Sequence, residues 1–511
     1  MLRLRQFSYV YHRNILRSMA TAPGNNDDST LPPNETHPIK RTLKLFQKDG
    51  RTIKKFFKTS FTKATSNNES QPMQHINLKK NEHKEYTGDF QSHCDILVIG
   101  GGAVGSSIAY WLKSKARDGL NVVVVERDPT YKQASTVLSV GGLRQQFSLP
   151  ENIEMSLFGA DFIRNAKDYL GDVDLSFMPY GYLTLATEKS AETLKRNSMM
   201  QNGLGARNEI LTASQLKSKF PWLNTDDIVL GCHGLEKEGW FDPWALLMGL
   251  KNKAKINGAH YIDGEVVNFE FNKDSDVVIR GNEHSSESYV GLDRAVVKLS
   301  NGETRSIKFA ICILAGGANS GQIARLARIG TGPGLLGVPL PVEPRKRYVY
   351  VINTQGENAP GLCTPLTIDP NGTYFRRDGL CGNYICGRSP SESAEPATDN
   401  LDVDHEYFET DVWPTLSNRV KAFESLKVCG SWAGFYEYNL FDENGIIGPH
   451  PYYINMYIAT GFSGHGIQQA PAVGRAISEL IIDGQYRTID LTRLGFDRIL
   501  VDQPMLETNI F

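Results

Sequence analysis

Hydrophobic and polar residues follow different patterns in two parts of the chain. Up to about residue 92, apolar residues are scattered among polar and basic ones, whereas from residue 93 compact aliphatic runs recur at intervals. The run at 96–99 is short and aliphatic, which predicts a buried parallel strand, and the dozen residues after its glycine-rich turn predict a helix. The run "VVVVE", which ends at Glu126, predicts a second strand.

Two later segments repeat this order of strand, small-residue turn and helix. "KFAICILAGGANSG", residues 308–321, predicts a buried strand and then a helix that begins near Gln322. "NMYIATGFSGHGIQQAPAVGRAISELIIDG", residues 455–484, predicts a strand, a glycine-rich loop and a long helix from about Gln468. Strands that alternate with helices are typical of an α/β fold with a parallel sheet.

Other segments have a β-rich pattern without intervening helices. Examples are "RYVYVINT", residues 347–354, and "YFRRDGLCGNYICGR", residues 374–388. We expect them to form an antiparallel sheet that covers a ligand, with a substrate pocket between this sheet and the α/β domain. The candidate pocket residues are Tyr348, Tyr350, Arg376 and Arg377, although alternating aromatic residues in a strand are more often ordinary packing.

The N-terminal part has the composition of a targeting segment followed by a linker. Its first 26 residues contain four arginines and no acidic residue, which is typical of an amphipathic mitochondrial transit segment; a disordered basic tail is the alternative. Residues 27–92 are polar and predict a disordered linker. Within them, residues 39–61 interleave apolar residues with lysines, a pattern that suits the surface of an anionic membrane.

Composition narrows the class of protein. The chain has 511 residues, of which 40% are hydrophobic and 22% charged, with a formal net charge of −2. It is long enough for two or three domains, and its charge predicts no whole-protein attraction to nucleic acid. The seven cysteines form no C-x-x-C pair, so we predict neither a metal site nor a disulfide framework.

The turn after the first strand carries a nucleotide-binding pattern. Gly100, Gly102 and Gly105 form G-x-G-x-x-G, in which the glycines allow a tight turn, close approach of a pyrophosphate and close packing of helix on strand. Glu126 ends the second strand, where its carboxylate can accept both hydroxyls of an adenosine ribose and would repel a 2′-phosphate. These residues predict FAD or NAD rather than NADP.

Two further residues are candidates for contacts to the dinucleotide. Gly316 lies in the small-residue turn "AGGA", which lets a second loop pass close to the ligand. Val267 lies in a predicted strand, "GEVVNFEF", that could supply a backbone contact to the adenine.

The G-x-G-x-x-G pattern and the late segment "GFSGHG", at 461–466, together resemble the D-amino-acid oxidase and sarcosine oxidase superfamily of FAD-dependent amine oxidoreductases. The resemblance covers residues 94–490 and implies FAD as the cofactor. It implies that the late loop lies at the flavin, through residues Gly461, Gly464, His465 and Gly466. His465 is then either a contact at the flavin edge, and so a catalytic candidate, or a spacer in the loop.

The same resemblance assigns a loop that crosses the flavin, "ASTVLSVGGLRQQF". It implies that Ser135 and Thr136 bind the pyrophosphate and that Gly142 and Arg144 lie near the ring. Arg144 is a catalytic candidate, as a contact to the substrate carboxylate or the flavin, and the alternative is a surface ion pair. Phe147 stands where relatives carry a second, carboxylate-binding arginine, which puts an amino-acid substrate in doubt.

The mode of FAD attachment also follows from the resemblance. Some members bind FAD covalently through a histidine in the first loop or a cysteine in a later Trp-Ala-Gly region. This chain has Leu138 near the first position and Gly434, Phe435 and Tyr436 at the second. The resemblance therefore implies non-covalent FAD.

Several segments, among them "LPVEPRKRYVYV" and "WAGFYEYNLFDENGIIGPHP", further resemble a mitochondrial branch of the superfamily that assists assembly of the respiratory NADH dehydrogenase (complex I). The resemblance implies a role in complex I assembly, with its subunits or assembly intermediates as partners. It places the protein in the mitochondrial matrix or on the matrix face of the inner membrane. The alternative is an active mitochondrial FAD-dependent oxidase or dehydrogenase of a small amine or amino acid.

The order of these segments predicts a discontinuous, Rossmann-like FAD-binding domain and an antiparallel β-sheet substrate domain, as in D-amino-acid oxidase. The oxidoreductase region spans residues 93–490, between the N-terminal segments (1–26 and 27–92) and a C-terminal extension (491–511). The FAD-binding domain takes residues 93–180, 235–335 and 425–490. The substrate domain takes residues 181–234 and 336–424.

Overall fold

The structure, a computed structural model, describes residues 90–280 and 286–508. The predicted transit segment, nearly all of the predicted linker and the basic segment at 39–61 lie outside the described residues. No helix within the described ranges is long and apolar enough to cross a membrane. In the same ranges, no group of three or more His, Cys, Asp or Glu side chains is placed to hold a metal ion.

The strands are numbered in chain order. They are β1 (His93–Ile99), β2 (Val122–Glu126), β3 (Gly142–Leu143), β4 (Tyr182–Ala186), β5 (Asn208–Thr212), β6 (Leu230–Gly234), β7 (Gly239–Trp240), β8 (His260–Arg280), β9 (Ser286–Leu299), β10 (Thr304–Leu314), β11 (Val342–Asn353), β12 (Leu366–Ile368), β13 (Tyr374–Asp378), β14 (Asn383–Gly387), β15 (Lys427–Asn439), β16 (Ile446–Pro449) and β17 (Met456–Thr460).

The α-helices are also numbered in chain order. They are α1 (Ala103–Ala116), α2 (Ser135–Leu138), α3 (Pro150–Arg164), α4 (Ala166–Leu170), α5 (Ala191–Gly203), α6 (Ala213–Lys219), α7 (Pro243–Ile256), α8 (Ser320–Leu326), α9 (His405–Tyr407), α10 (Trp413–Arg419), α11 (Gly466–Asp483) and α12 (Asp497–Leu500).

The first sheet contains a parallel core in the order β8, β2, β1, β10, β17. β16 pairs antiparallel with β17, and β9 pairs antiparallel with both β8 and the first half of β10. The aliphatic residues of β1 and β2 are buried because the sheet is covered on both faces, as parallel sheets require. β1 lies between β2 and β10, so the chain adds strands first on one side of β1 and later on the other. This change of side leaves a crevice at the carboxyl ends of the strands.

Helices α1 and α11 pack closely over this sheet. A Cβ added at Gly474 of α11 would lie 2.2 Å from Ser107 Oγ of α1, so only glycine permits this approach. Both helices begin at the crevice. α1 matches the predicted dozen residues, whereas α8 and α11 each begin two residues before the predicted Gln322 and Gln468.

The second sheet has eight strands in the order β5, β6, β4, β12, β13, β14, β11, β15. It is antiparallel, as predicted, except that β4 and β12 are parallel. The FAD-binding range 425–490 needs a correction, because β15 belongs to this second sheet. β15 pairs with β11 from Asn439 to Lys427, and this long-range pairing is not visible in its own sequence. The α/β class with a parallel sheet and a second β-rich domain is confirmed.

Candidate functional site

The glycine turn after β1 has the geometry of a phosphate-binding loop. Gly100 has φ +100°, and a Cβ there would lie 2.2 Å from the carbonyl oxygen of Ala315. A Cβ at Gly105 would lie 1.9 Å from the carbonyl oxygen of Gly100, so helix and turn touch through backbone alone. At Gly102, by contrast, a Cβ would meet only Thr136 Oγ1, at 3.3 Å. The second glycine therefore faces open space, where a phosphate can approach the backbone.

Glu126 ends β2 beside this turn. Its Oε2 accepts the backbone N–H of Gly101 at 2.7 Å, and its Oε1 accepts that of Asp128 at 2.9 Å. Burial raises the pKa of Glu126, while both N–H donors oppose the shift. A carboxylate has about four lone-pair sites, so two acceptor positions remain for ribose hydroxyls.

Helix α2 forms the opposite wall of the phosphate position. Ser135 and Thr136 both line the cleft. Thr136 Oγ1 accepts the backbone N–H of Ala103, the first residue of α1, at 3.1 Å. Gly102 has no capping side chain, so apart from the Ala103 N–H the first turn of α1 can offer its N–H groups to a negative ligand.

The other two predicted dinucleotide contacts lie on the same sheet. Gly316 follows β10, and its Cα lies 3.2 Å from a Cβ built at Gly100, so the two turns are in contact. Val267 falls in a β-bulge of β8 and has no partner in the β8–β9 register. Such a bulge leaves backbone groups unpaired by the ladder, as a backbone contact to adenine needs.

The late glycine loop is shaped by Tyr436 of β15. Gly464 has φ +96°, and a Cβ there would lie 2.6 Å from the Tyr436 ring. The Tyr436 hydroxyl donates to the carbonyl oxygen of Ser463. Gly464, His465 and Gly466 line the cleft, and α11 begins at Gly466 without a side-chain cap. The loop thus presents the amino terminus of α11 to the cleft, and the Glu437 carboxylate lies beside the same terminus.

Arg144 and His465 are brought together by the fold, across the β3 loop and the start of α11. Arg144 Nη2 lies 3.1 Å from His465 Nε2, and His465 Nδ1 lies 3.0 Å from the carbonyl oxygen of Phe462. Because arginine can only donate, His465 Nε2 accepts and Nδ1 carries the proton. Burial, and then the charge of Arg144, lower the pKa of His465 to about 3. Both ring nitrogens are engaged, which favours a positioning contact over proton transfer.

Phe147 completes this cluster. Its side chain is fully buried, with its ring 4.9 Å from the His465 ring and 4.4 Å from the Arg144 guanidinium carbon. Arg144 is itself buried, so the alternative of a surface ion pair is wrong. The position that the resemblance assigns to a carboxylate-binding arginine holds an apolar ring packed on a cation.

Two buried carboxylates at the site were not singled out from the sequence. Glu238 accepts the Gln145 backbone N–H at 2.6 Å and Gln146 Nε2 at 2.8 Å, and so holds the loop that carries Arg144. Glu437 lines the cleft, and its Oε2 accepts Thr460 Oγ1 at 3.0 Å and the Gly461 N–H at 3.2 Å. Burial raises the pKa of each carboxyl to about 7. In the sequence, Glu437 stands out only as the charged residue of the aromatic segment "WAGFYEYN".

Glu437 also lies at the start of α11. Its Oε1 lies 2.9 Å from a Cβ built at Gly466, the first residue of the helix. Ionised, this carboxylate would offset the positive end of the helix dipole; protonated, it can donate a hydrogen bond into the cleft.

The remaining cleft walls come largely from the second sheet. The lining includes aromatic and basic side chains, namely Tyr182, Tyr348, Tyr374, Phe435, Tyr436, Arg347 and Arg388. Of the four pocket candidates from the sequence, only Tyr348 is among them. Arg376 instead donates through Nε to the Val140 carbonyl at 3.1 Å and supports the loop before Gly142. Tyr350 is fully buried in the core of the second domain, and Arg377 stacks on Tyr384.

These residues fit FAD. The open phosphate cradle at Gly102 and the carboxylate of Glu126 lie beside the start of α1. The uncapped starts of α1 and α11 both line one cleft. When bound, FAD would supply an acceptor for a hydride equivalent. The residues described above would bind and orient the cofactor, and Tyr182, Tyr374 and Arg388 line the same cleft.

The fold and the site define a dinucleotide-binding flavoprotein. The chain belongs to the family of FAD dependent oxidoreductases, whose sequence model matches residues 95–480. Membership of this family establishes FAD as the cofactor. The fold is similar to that of a reduced L-α-glycerophosphate oxidase from Mycoplasma pneumoniae, solved with FAD bound (19% identity, TM-score 0.57, covering 76% of this chain and 94% of that one).

Individual relatives agree with this assignment. The chain is 54% identical over 517 residues to the FAD-dependent oxidoreductase domain-containing protein 1 homolog of Drosophila melanogaster, covering 100% of this chain and 99% of the relative. It is 50% identical over 435 residues to the Xenopus laevis protein of that name, covering 83% and 86%. Its structure is similar to L-proline dehydrogenase from P. horikoshii (26% identity, TM-score 0.66, covering 81% and 100%).

We expect FAD to be bound without a covalent bond. Leu138 and Gly434 face each other at the two attachment positions, since a Cβ at Gly434 would lie 3.0 Å from Leu138 Cβ. The described cleft lining has no cysteine, and both nitrogens of its histidine are engaged. Acid precipitation should release yellow FAD into the supernatant, whereas colour retained in the protein pellet would contradict the expectation.

Replacement of Glu126 by alanine should weaken FAD binding. It removes a charged acceptor for the ribose, and each such hydrogen bond contributes about 1.5–3 kcal/mol. Fluorescence titration of the FAD-free protein measures the change. The matched control is Glu265→Ala, which removes an exposed carboxylate on the adjacent strand β8. Equal affinities for FAD in the two variants would refute the role of Glu126.

The raised pKa of Glu437 predicts a pH-dependent stability. Between its unfolded value of 4.5 and about 7, the folded protein binds more protons at this residue than the unfolded chain does. Glu437 therefore makes folding less favourable as the pH rises through this window, by up to about 3 kcal/mol. Denaturant unfolding of the wild type and Glu437→Gln should show the wild type losing stability relative to the variant from about pH 5 to about pH 8. Parallel pH profiles would contradict this.

Proposed function

We propose that the protein is a mitochondrial flavoprotein required for assembly of the respiratory NADH dehydrogenase. It would act in the matrix or at the matrix face of the inner membrane, and its partners would be subunits or assembly intermediates of that complex. The resemblance of the segments quoted above to a complex I-associated branch supports the proposal. The arginine-rich, acid-free first 26 residues support the location.

The observation that carries the proposal is the packing around Phe147. Amino-acid oxidation in this superfamily is expected to use a second arginine at this position to hold the substrate carboxylate. Here the position holds a fully buried ring between Arg144 and His465. The cofactor side of the site is intact while this part of the substrate side differs, which suits a flavoprotein whose main role is not amino-acid breakdown.

A second candidate function is oxidation of a small amine or amino acid. It is favoured by Arg388, which follows β14 directly and lines the cleft. Its Nη1 donates to the Asp411 carbonyl oxygen at 3.2 Å and lies 3.8 Å from Asp411 Oδ1. Because a guanidinium carries five N–H donors, Arg388 keeps donors with which to bind an anionic substrate group. Arg347, also in the lining, is already held by both carboxylate oxygens of Glu395 at 2.8 Å.

Deletion of the gene should reduce assembled NADH dehydrogenase, measured by native gel electrophoresis of mitochondrial membranes. Wild-type protein should restore it. The variant Gly102→Val tests the need for FAD. The backbone at Gly102 has a φ of −65°, which is compatible with valine, and the valine side chain would project into the phosphate cradle. We expect this variant to accumulate as folded protein with little FAD and to fail to restore assembly.

The outcome that would overturn the assembly role is normal NADH dehydrogenase in the deletion strain with accumulation of one amine or amino acid. That amine should then bleach the flavin band of the purified protein, and Arg388→Ala should raise the concentration needed to do so. The metabolic function would replace the proposed one.

A further inference from the structure

The chain after α12 forms a segment that packs against Ser148, in the loop that carries Arg144, and against Asp442. We call residues 503–508 the C-terminal strap; it contains no helix or strand. The strap is fixed at its start, where the Gln503 N–H donates to the Arg498 carbonyl at 2.9 Å. Farther on, the Met505 N–H donates to Asp442 Oδ2 at 2.9 Å.

Glu507 is the buried residue of the strap, with 2% of its surface exposed. Its Oε1 accepts the backbone N–H of Ser148 at 2.8 Å and the Ser148 hydroxyl at 2.6 Å. Its Oε2 accepts Asn152 Nδ2 at 2.9 Å. The Thr508 N–H donates back to Ser148 Oγ at 2.9 Å, so strap and loop hold each other in both directions.

Ser148 directly follows the Arg144–Phe147 segment, and Asn152 lies in the first turn of α3. Asn152 Oδ1 accepts Gln469 Nε2 of α11 at 3.1 Å. The neighbouring Gln468 accepts the Arg144 N–H through Oε1 at 2.8 Å. Two successive hydrogen bonds, through Asn152, therefore connect Glu507 to α11. Glu507 also contacts Ser148, which belongs to the loop that carries Arg144.

The strap also reaches the late glycine loop through Asp442. Asp442 forms a buried bidentate pair with Arg498, at 2.7 and 2.9 Å, and accepts Asn439 Nδ2 at 2.8 Å. The backbone N–H of Asn439 donates to Ser463 Oγ at 3.0 Å. Both loops that face the flavin therefore have their outer ends tied to the same C-terminal segment.

We propose that Glu507 is a positioning residue of the flavin site: through its hydrogen bonds to Ser148 and Asn152 it holds the Arg144–His465 contact in place. The proposal goes beyond the function proposed above and stands whether the protein serves assembly or catalysis. It also gives a role to the C-terminal extension, which the nucleotide-binding motifs do not include.

The test uses the full-length, FAD-loaded protein and compares Glu507→Ala with Leu506→Ala. Leu506 is the neighbouring strap residue, 54% exposed, so its variant controls for changes to the strap itself. Hydrogen exchange followed by mass spectrometry should be about tenfold faster or more in peptides covering 143–149 and 463–469 of Glu507→Ala, because local opening there loses its hydrogen bonds. Peptides from β1 and β2 should be unchanged.

Two further readouts separate positioning from general stability. The visible flavin absorption band should shift in Glu507→Ala and not in Leu506→Ala. Glu507→Gln keeps a carbonyl oxygen for Ser148 and should recover most of the local protection and the wild-type band.

The proposal is overturned by any of four results. These are equal exchange in Glu507→Ala and Leu506→Ala, equally faster exchange in β1 and β2, an unshifted flavin band in Glu507→Ala, and a Glu507→Gln variant as disturbed as Glu507→Ala.

Discussion

The contact between the turns after β1 and β10 determines the geometry of the site. Gly100 and Ala315 approach so closely that a Cβ at Gly100 would lie 2.2 Å from the Ala315 carbonyl. This approach is possible because β1 and β10 are adjacent parallel strands whose carboxyl ends lie at one edge of the sheet. Three other features lie at this edge because each stands where a parallel strand ends: the amino terminus of α1, Glu126 and the late glycine loop.

A second constraint is the burial of charge around this edge. Arg144 is 5% exposed, and burial of a cation is costly unless hydrogen bonds and opposite charges compensate. Burial lowers the pKa of Arg144, and nearby Tyr182, Glu507 and Glu238 oppose this shift. Glu238 holds the loop from the β6–β7 side and Glu507 from the C-terminal side, so the arginine is positioned by residues far apart in sequence.

The sequence predicted the parts of the site that depend on local spacing. The glycines of the first turn, Glu126 and the late loop could be identified because each lies within one strand–turn–helix unit. Glu437 and Glu507 could not, since what matters about them is their partner across the fold, Gly461 for one and Ser148 for the other. The pairing of β15 with the second sheet was missed for the same reason, because strand partners are set by tertiary contacts.

The two sheets contribute separate properties to one cleft. Residues after the parallel strands bind the dinucleotide, whereas the second sheet supplies Tyr374, Arg347 and Arg388 on the opposite wall. Substitutions in the second sheet can therefore change which molecule enters the cleft without disturbing Gly102 or Glu126. A chain can therefore keep FAD while the residues of this wall diverge. Family membership therefore establishes the cofactor, and the role of the flavoprotein has to be read from the wall that faces it.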